Sequence, residues 1–326
     1  MYKKFSIKTL SIVFSVLLVL VILTEIIDKA KGMNTLRDVL FSVNTEDVAA
    51  LKLYPRMLNG KEILLEKEGN DWKVKYEGKS YNADTTQIKN LINQLVELKP
   101  LRYAGKTAEQ QKKYELTDSL CSKVVLLDKN GKELAALRVG RFSFLQNRRM
   151  QQQNPYMQQP QGTMITYVRM ENEKDIFAVE GFLSMSVNQK ANNFRNRKLL
   201  SLNREKIKEI RFEYPADSSF VLAENNGVWQ IDGTPADSAS VADYLYDISN
   251  VTGTNFSKEN SVNATHRLKI STFDNKQYQL SAAFTDSTKV LLTSTQNKGT
   301  VFEEKADNNF AKLFKSKADF LKKNKL

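Results

Sequence analysis

The chain has 326 residues, of which 41% are hydrophobic and 26% charged, so it is long enough for two domains and has the balance of a folded globular protein. Its net charge of +12 is concentrated at its ends, since residues 1–31 carry +3, residues 312–326 carry +5, and the 280 residues between carry only +4. A body so weakly basic argues against a nucleic-acid-binding surface.

The N-terminal residues have the order of a signal anchor. A basic tail at 1–8 precedes an apolar run, which predicts a transmembrane helix at 9–27 and a linker at 28–44. Bulky and charged residues follow the run instead of a small-x-small cleavage site, which favours an uncleaved anchor over a cleaved signal peptide. Because lysines precede the run and acids follow it, we expect a cytoplasmic N-terminus and an extracytoplasmic bulk.

A β-hairpin pattern follows the linker and occurs twice. Ile63 and Leu65 alternate with polar neighbours, a Gly-Asn-Asp turn follows, and Trp72 begins a second alternating run, which predicts a hairpin with one buried face. The segment at 222–231, which contains Trp229, repeats this pattern. Both tryptophans are therefore predicted to point into the core, although exposed rings at these positions could stack on sugars.

An amphipathic helix is predicted after each hairpin. Asp84 precedes apolar residues spaced at three and four over 88–98, and Asp237 precedes a similar series over 241–248. An aspartate just before such a series caps the free backbone N–H groups of a helix. We expect Asp84 and Asp237 to be equivalent N-caps.

Further strands complete both halves of the body. They are predicted at 124–127, 134–139, 165–170 and 176–179, and again at 268–273, 278–283, 290–294 and 300–303. Closing segments containing Phe194 and Phe310 match in more than one register. The predicted fold is α+β: an N-terminal transmembrane helix, then two repeated modules of antiparallel sheet with packed helices, at 45–203 and 204–326.

Two segments differ between the halves and could contact a partner. A glutamine-rich insertion at 146–161 is predicted to be a mobile loop, and the C-terminus is predicted to be a basic helix, whose simplest explanation is a solvated face on a packed helix. The candidate partner contacts in and near these segments are Arg138, Arg141, Arg148, Arg149, Tyr156, Lys315, Lys322 and Lys323.

The familiar enzyme motifs are absent from the sequence. Cys121 is the only cysteine and His266 the only histidine, which excludes a disulfide framework and metal sites built from His or Cys clusters. His266 is predicted to be a surface residue. We predict no catalytic, cofactor-binding or metal-binding residues, although chemistry that uses carboxylates alone stays open.

Several local motifs of the chain are similar to those of one known protein family. The hairpin at 65–72, the Ala83-Asp84 cap, the Lys-Tyr-Glu-Leu-Thr-Asp segment at 113–118, the strand ending at Gly140 and the stretch at 193–200 carry the resemblance. These motifs are similar to those of the domain of unknown function 4340 family, chiefly over residues 45–200. The resemblance implies a single-pass, inner-membrane protein with a periplasmic bulk, of a kind often associated with ABC-type transporters and gliding motility.

These observations predict a non-enzymatic binding or scaffolding protein that serves an ABC-type transporter or a cell-envelope assembly. Its expected partners are transporter permease or auxiliary subunits, and the membrane through its N-terminal helix. Two alternatives are a carboxylate-dependent envelope hydrolase acting on glycan or peptide, and an envelope polyanion-binding protein.

Overall fold

The computed structural model describes residues 13–19, 21, 39–146, 162–259 and 261–321. Residues 13–19 are helical and expose apolar side chains. Among the described residues, no helix is long and apolar enough to cross a membrane. The basic tail at 1–8 and most of the predicted membrane helix and linker lie outside the described residues, so the structure gives the predicted spanning helix no support.

Ten strands and three helices lie between residues 39 and 203 in the described ranges. The strands are β1 (Ala50–Tyr54), β2 (Ile63–Glu68), β3 (Asp71–Tyr76), β4 (Lys79–Asn82), β5 (Pro100–Gly105), β6 (Ser122–Leu127), β7 (Glu133–Gln146), β8 (Gly162–Met170), β9 (Ile176–Glu180) and β10 (Lys198–Ser201). The helices from residue 39 onward are α1 (Thr85–Val96), α2 (Ala108–Lys113) and α3 (Leu183–Val187).

Ten strands and two helices follow residue 203 in the described part of the chain. The strands are β11 (Ile207–Glu213), β12 (Phe220–Asn225), β13 (Val228–Ile231), β14 (Thr234–Pro235), β15 (Asn250–Thr252), β16 (Asn255–Phe256), β17 (His266–Thr272), β18 (Gln277–Phe284), β19 (Lys289–Ser294) and β20 (Val301–Lys305). The helices are α4 (Ser238–Ser249) and α5 (Ala311–Leu313).

Two nine-stranded antiparallel sheets dominate the fold. Their strand orders are β4-β3-β2-β1-β6-β7-β8-β9-β5 and β14-β13-β12-β11-β17-β18-β19-β20-β16. Each strand of the second sheet therefore holds the place of the corresponding strand of the first, and α1 and α4 follow corresponding strands. The predicted antiparallel sheet is confirmed, and the protein is mostly β-sheet.

Contacts within the chain define two compact units. Among the described residues, the first unit contains those up to Glu62 together with those of Leu91–Gln189, and the second contains Ile63–Asn90 together with those from Lys190 onward. The bounds of these units follow from contacts between residues. The module bounds at 45–203 and 204–326 follow instead from the repeated sequence pattern. The module bounds therefore stay a prediction.

A small cluster of buried side chains fixes a bulge in the first unit. Leu116 and Tyr167 are buried there, and the Tyr167 ring stacks on Tyr114 with centroids 3.9 Å apart. A Cβ at Gly140 would lie only 2.1 Å from the carbonyl oxygen of Tyr114. Strand β7 therefore needs glycine at its bulge, and the N–H of Arg141 donates to the same carbonyl oxygen at 3.0 Å.

Aromatic rings fill the core of the second unit. Phe212 stacks on Phe220 with centroids 4.2 Å apart, and Tyr244 and Phe320 contact the same ring. The buried Tyr244 hydroxyl donates to the carbonyl oxygen of Leu313 at 2.7 Å. The C-terminal segment is therefore fastened to the core by both aromatic packing and a hydrogen bond.

The C-terminal segment is a series of short turns instead of the predicted basic helix. Helical turns cover Ala306–Phe310, Ala311–Leu313 and Lys317–Phe320. The backbone of Asn308 is non-helical, and Phe314 ends the second turn at φ −100° and ψ 76°. Apolar spacing alone predicts one helix, because it does not reveal the breaks that bury both Leu313 and Phe320.

The two tryptophan hairpins make matching backbone contacts but differ in burial. The N–H of Ala83 donates to the Trp72 carbonyl oxygen at 3.0 Å, and the N–H of Ala236 donates to that of Trp229 at 2.9 Å. Trp72 is 3% exposed, as expected for a core residue. Trp229 is only half-buried, which differs from the core position that the alternating pattern predicts.

Both aspartates cap their helices and also join them to a closing turn. Asp84 Oδ1 accepts the N–H of Gln87, and Asp237 Oδ2 accepts the N–H of Ser240, each at 3.0 Å. The backbone N–H groups of Asp84 and Asp237 donate to the carbonyl oxygens of Phe194 and Phe320 respectively, each at 2.8 Å. Phe194 therefore corresponds to Phe320, which decides the register of the closing segments.

The variants Asp84→Ala and Asp237→Ala should each lower the free energy of unfolding by about 1 kcal/mol, because each leaves an N-terminal helix N–H without its side-chain acceptor. Urea unfolding followed by circular dichroism measures this loss. Asp243→Ala, on the exposed face of α4, is the control and should change stability by less than about 0.5 kcal/mol. Equal losses in all three variants would contradict the capping role.

Candidate functional site

Arg138 lies in an ion-pair cluster of the first unit. Its Nε and Nη2 donate to the Glu171 carboxylate at 2.7 and 2.8 Å, and its Nη1 contacts Asp118. These hydrogen bonds lower the pKa of Glu171. The cluster borders a cavity of about 580 Å³ that also contains Cys121, and burial raises the pKa of its thiol. The guanidinium of Arg138 is thus already paired with carboxylates of its own chain and is not free for the predicted partner contact.

Arg141 is close to Arg138 in sequence but lines a different cavity, since the bulge at Gly140 redirects strand β7. Its side chain is exposed and borders a cavity of about 610 Å³ together with Phe142 and Met185. No acidic partner of its guanidinium occurs among the described residues. Arg141 therefore keeps the accessible charge that a partner contact requires.

Lys315 is the only C-terminal candidate contact within the described residues. Its carbonyl oxygen accepts the Tyr214 hydroxyl at 2.7 Å, and its side chain is half-buried. Its backbone thus contributes to fastening the C-terminal segment. The remaining candidates, Arg148, Arg149, Tyr156, Lys322 and Lys323, lie outside the described residues, as does the insertion from residue 147 onward.

His266 lies in an aromatic cluster of the second unit. Its ring centroid is 5.2 Å from that of Tyr214 and 5.3 Å from that of Phe310. Burial lowers the pKa of its imidazole. The sequence predicts a surface position instead, because a single histidine before a strand gives no sign of the distant phenylalanines that enclose it. Its surroundings are those of a packing residue.

A polar cleft that no sequence motif reveals lies in the second unit. Its volume is about 790 Å³. The cleft is lined mainly by lysine, arginine, asparagine, glutamine and threonine side chains, namely Lys73, Asn82, Thr85, Thr86, Asn196, Arg197, Lys198, Asn250, Thr252, Thr295, Gln296 and Lys298, with Asp71, Trp72, Ala83 and Asp84. Such a wall presents both hydrogen-bond donors and acceptors to a ligand.

An asparagine network fixes the walls of this cleft. Asn82 Nδ2 donates to Asn297 Oδ1 at 3.0 Å and to the Lys298 carbonyl oxygen at 2.9 Å, while its Oδ1 accepts the Lys73 ammonium at 2.7 Å. Asn297, which is 2% exposed, donates to the carbonyl oxygen of Asn196 at 2.7 Å. Segments far apart in sequence are thereby held in one geometry.

Arg195 stabilises the segment that forms one wall of the cleft. Its guanidinium lies between two rings, with its Cζ 3.8 Å from the Tyr81 centroid and 3.6 Å from the Phe256 centroid. Burial lowers the pKa of this arginine. Stacking on both faces suits the planar guanidinium, which lysine would not reproduce. Arg195 is therefore held in place directly before three residues that line the cleft, Asn196, Arg197 and Lys198.

The net charge of the cleft lining is positive, because Lys73, Arg197, Lys198 and Lys298 outnumber the carboxylates of Asp71 and Asp84. Lys198 and Lys298 are exposed and have no ion-pair partner within the described part of the chain. Asp84 is already used as a helix cap, and the N-terminal residues Thr85 and Thr86 of α1 also face the cleft. Two ammonium groups beside hydroxyl and amide groups can bind an acidic, hydrogen-bonding ligand.

The side chains of the described residues show no group of three or more His, Cys, Asp or Glu able to hold a metal ion. The described part of the chain is therefore a mostly antiparallel β-sheet protein with a preformed polar cleft. The family model described as "Domain of unknown function (DUF4340)" matches residues 158–283. No curated protein and no solved structure matches the chain.

The family match confirms the resemblance found in the sequence motifs and changes its extent. The motifs place the resemblance chiefly over residues 45–200. The matched range instead begins just before strand β8 and ends within strand β18. This range includes Arg195 and several residues of the cleft wall. The family description assigns no function, so the cleft has to be interpreted from its own chemistry.

Arg138→Met should lower the free energy of unfolding by about 2 kcal/mol at pH 7, because it leaves the partly buried Glu171 carboxylate without its main partner. Arg138 holds the pKa of Glu171 below its ordinary 4.5, so this stabilisation is present above that pH and is lost as the pH falls through the lowered pKa. Urea unfolding at several pH values should show the difference from the native chain shrinking below pH 4.5.

The control for this experiment is Arg211→Met, which removes an exposed ion pair with Glu209. Such a pair contributes less than about 1 kcal/mol, so the control should show little change at any pH. A loss in Arg138→Met that stays constant down to about pH 3 would exclude the Glu171 carboxylate as its cause.

Proposed function

We propose that the chain is a non-enzymatic binding or scaffolding protein that serves an ABC-type transporter or a cell-envelope assembly. In this proposal its N-terminal segment anchors it in the bacterial inner membrane, and the two sheet modules lie in the periplasm. The observation that carries the binding role is the preformed cleft with the unpaired lysines Lys198 and Lys298, considered within the described residues.

The use of the charged and aromatic residues supports this proposal. Asp84 and Asp237 cap helices, Arg138 neutralises Glu171, and His266 packs among aromatic rings. These groups stabilise the fold, whereas the cleft leaves charge at its surface. A rigid surface with uncommitted charge is suited to steering and holding a charged partner.

The corresponding order of the two sheets supports a scaffold of two repeated modules. We propose that these modules are copies of one ancestral unit and that they use their surfaces differently. The basic, apolar and acidic order of the first 28 residues supports the anchor and its orientation. The transporter association rests on the family resemblance.

A specific observation favours a second candidate, an envelope polyanion-binding protein. The same two lysines would bind an acidic polymer as readily as an acidic protein surface, because both present carboxylate or phosphate groups. Binding of a polymer would weaken steeply with salt, since its many charges are screened together.

The proposal is tested by affinity purification of the full chain from native membranes in mild detergent. Transporter permease or ATPase subunits should co-purify in constant proportion to the chain. A protein that is recovered alone, with or without chemical cross-linking before extraction, would contradict the accessory role.

The cleft is tested by the double variant Lys198→Glu/Lys298→Glu in the same purification. Charge reversal should reduce partner recovery at least about tenfold, since two favourable contacts become repulsive. Lys208→Glu, at another exposed position of the second unit, is the matched control and should leave recovery unchanged. Loss of the partner in both variants would indicate that binding depends on the net charge of the protein and not on the cleft.

A further inference from the structure

A second groove in the second unit contains the half-buried tryptophan. Its volume is about 580 Å³. Trp229 and Phe273 line it together with Arg204, Glu205 and Glu224, over a floor that includes Leu245. The groove shares no lining residue with the polar cleft, so a ligand bound here would be additional to the partner of the proposed function.

Two aromatic rings are available at this groove. The Phe273 side chain is 53% exposed, and Trp229 packs one side against the hydrophobic core while it remains half-buried. Its indole N–H has no hydrogen-bond acceptor among the described residues. An exposed phenylalanine beside a tryptophan whose indole N–H is free within the described residues offers a ligand both apolar surface and a hydrogen-bond donor.

The backbone holds Phe273 at this position. The N–H of Phe273 donates to the carbonyl oxygen of Lys206 at 2.8 Å, which joins it to the turn Arg204–Lys206. In that turn, Asn203 Oδ1 accepts the N–H of Glu205 at 3.0 Å. The ring and the two charged side chains of the turn are therefore positioned together.

In the first half, the described residues around Trp72 form no groove like the one around Trp229. Trp72 is 3% exposed there, and the residue that follows strand β6 is Asp128, whereas Phe273 follows the corresponding strand β17. Asp128 Oδ1 is used within its own turn, where it accepts the N–H groups of Asn130 and Lys132, each at 2.8 Å. The second half, and not the first, places an aromatic ring at this point.

The polar residues of the groove carry both signs of charge. Glu224 lies directly opposite Trp229 on the neighbouring strand, and Arg204 and Glu205 are exposed without an ion-pair partner in the described residues. A guanidinium and two carboxylates donate and accept hydrogen bonds without favouring a strongly charged ligand. Arg204 in particular opposes the binding of a cation on the rings.

We propose that this groove binds a saccharide. A pyranose ring has an apolar C–H face that can stack on Trp229 and Phe273, and hydroxyl groups that can pair with Arg204, Glu205 and the indole N–H. Aromatic surface beside a few positioned polar groups is the lining of small-ligand sites. The ligand class is a neutral or weakly charged sugar chain.

The test uses the full chain in detergent and two probes, hexamers of N-acetylglucosamine and of β-linked glucose. Titration calorimetry should detect binding of at least one hexamer, and the bound sugar should protect the accessible Trp229 from quenching by acrylamide. Phe273→Ala should weaken binding about tenfold through the lost stacking surface. Because Phe273 is exposed, this variant should keep the native circular dichroism spectrum.

Phe142→Ala, which removes a ring that is 48% exposed in the first unit, is the matched control and should bind like the native chain. Glu205→Gln should weaken binding without changing the melting temperature. Absence of binding by both hexamers at millimolar concentration, or equal binding by the native chain and Phe273→Ala, would overturn the proposal. Tighter binding of tetramethylammonium than of either hexamer would also overturn it, in favour of a cation site.

Discussion

The fold depends on how each hairpin passes into the helix behind it. In both halves an aspartate donates its backbone N–H to a phenylalanine carbonyl oxygen of a distant closing turn, while its carboxylate accepts an N–H of the helix. The first bond joins Asp84 to Phe194 in one half and Asp237 to Phe320 in the other. One residue thereby fixes the start of the helix, the end of the hairpin and the closing turn, and the large sheets are arranged around this junction.

The available surfaces occur beside these junctions, where the halves differ. Asp84 borders the polar cleft, whose walls are held by Asn82 and Asn297 and leave Lys198 and Lys298 without ion pairs in the described structure. Near the junction at Asp237, Trp229 is half-buried and lines a groove instead of lying fully in the core. The repeated contacts thus provide stability, and the unrepeated side chains provide the chemistry available for binding.

Local patterns in the sequence predict the hairpins, the capped helices and most strands, because alternation and helical spacing report burial directly. They fail where distant segments decide the outcome. Trp229 has the same alternation as Trp72 but lines a groove together with Phe273. His266 is enclosed by rings from strand β18 and the C-terminal turns. The cleft cannot be predicted for the same reason, since its asparagines and lysines come from well-separated segments and form no motif.

If the protein holds its partner through the cleft, a cross-linker placed in the cleft should reach that partner. The most direct test of this proposal is photo-cross-linking in intact cells, with p-benzoylphenylalanine incorporated in place of Lys298 and, separately, in place of Lys208. We expect a specific product between position 298 and a transporter subunit or acidic envelope component, and no such product from position 208. The same products from both positions, or none from position 298, would contradict it.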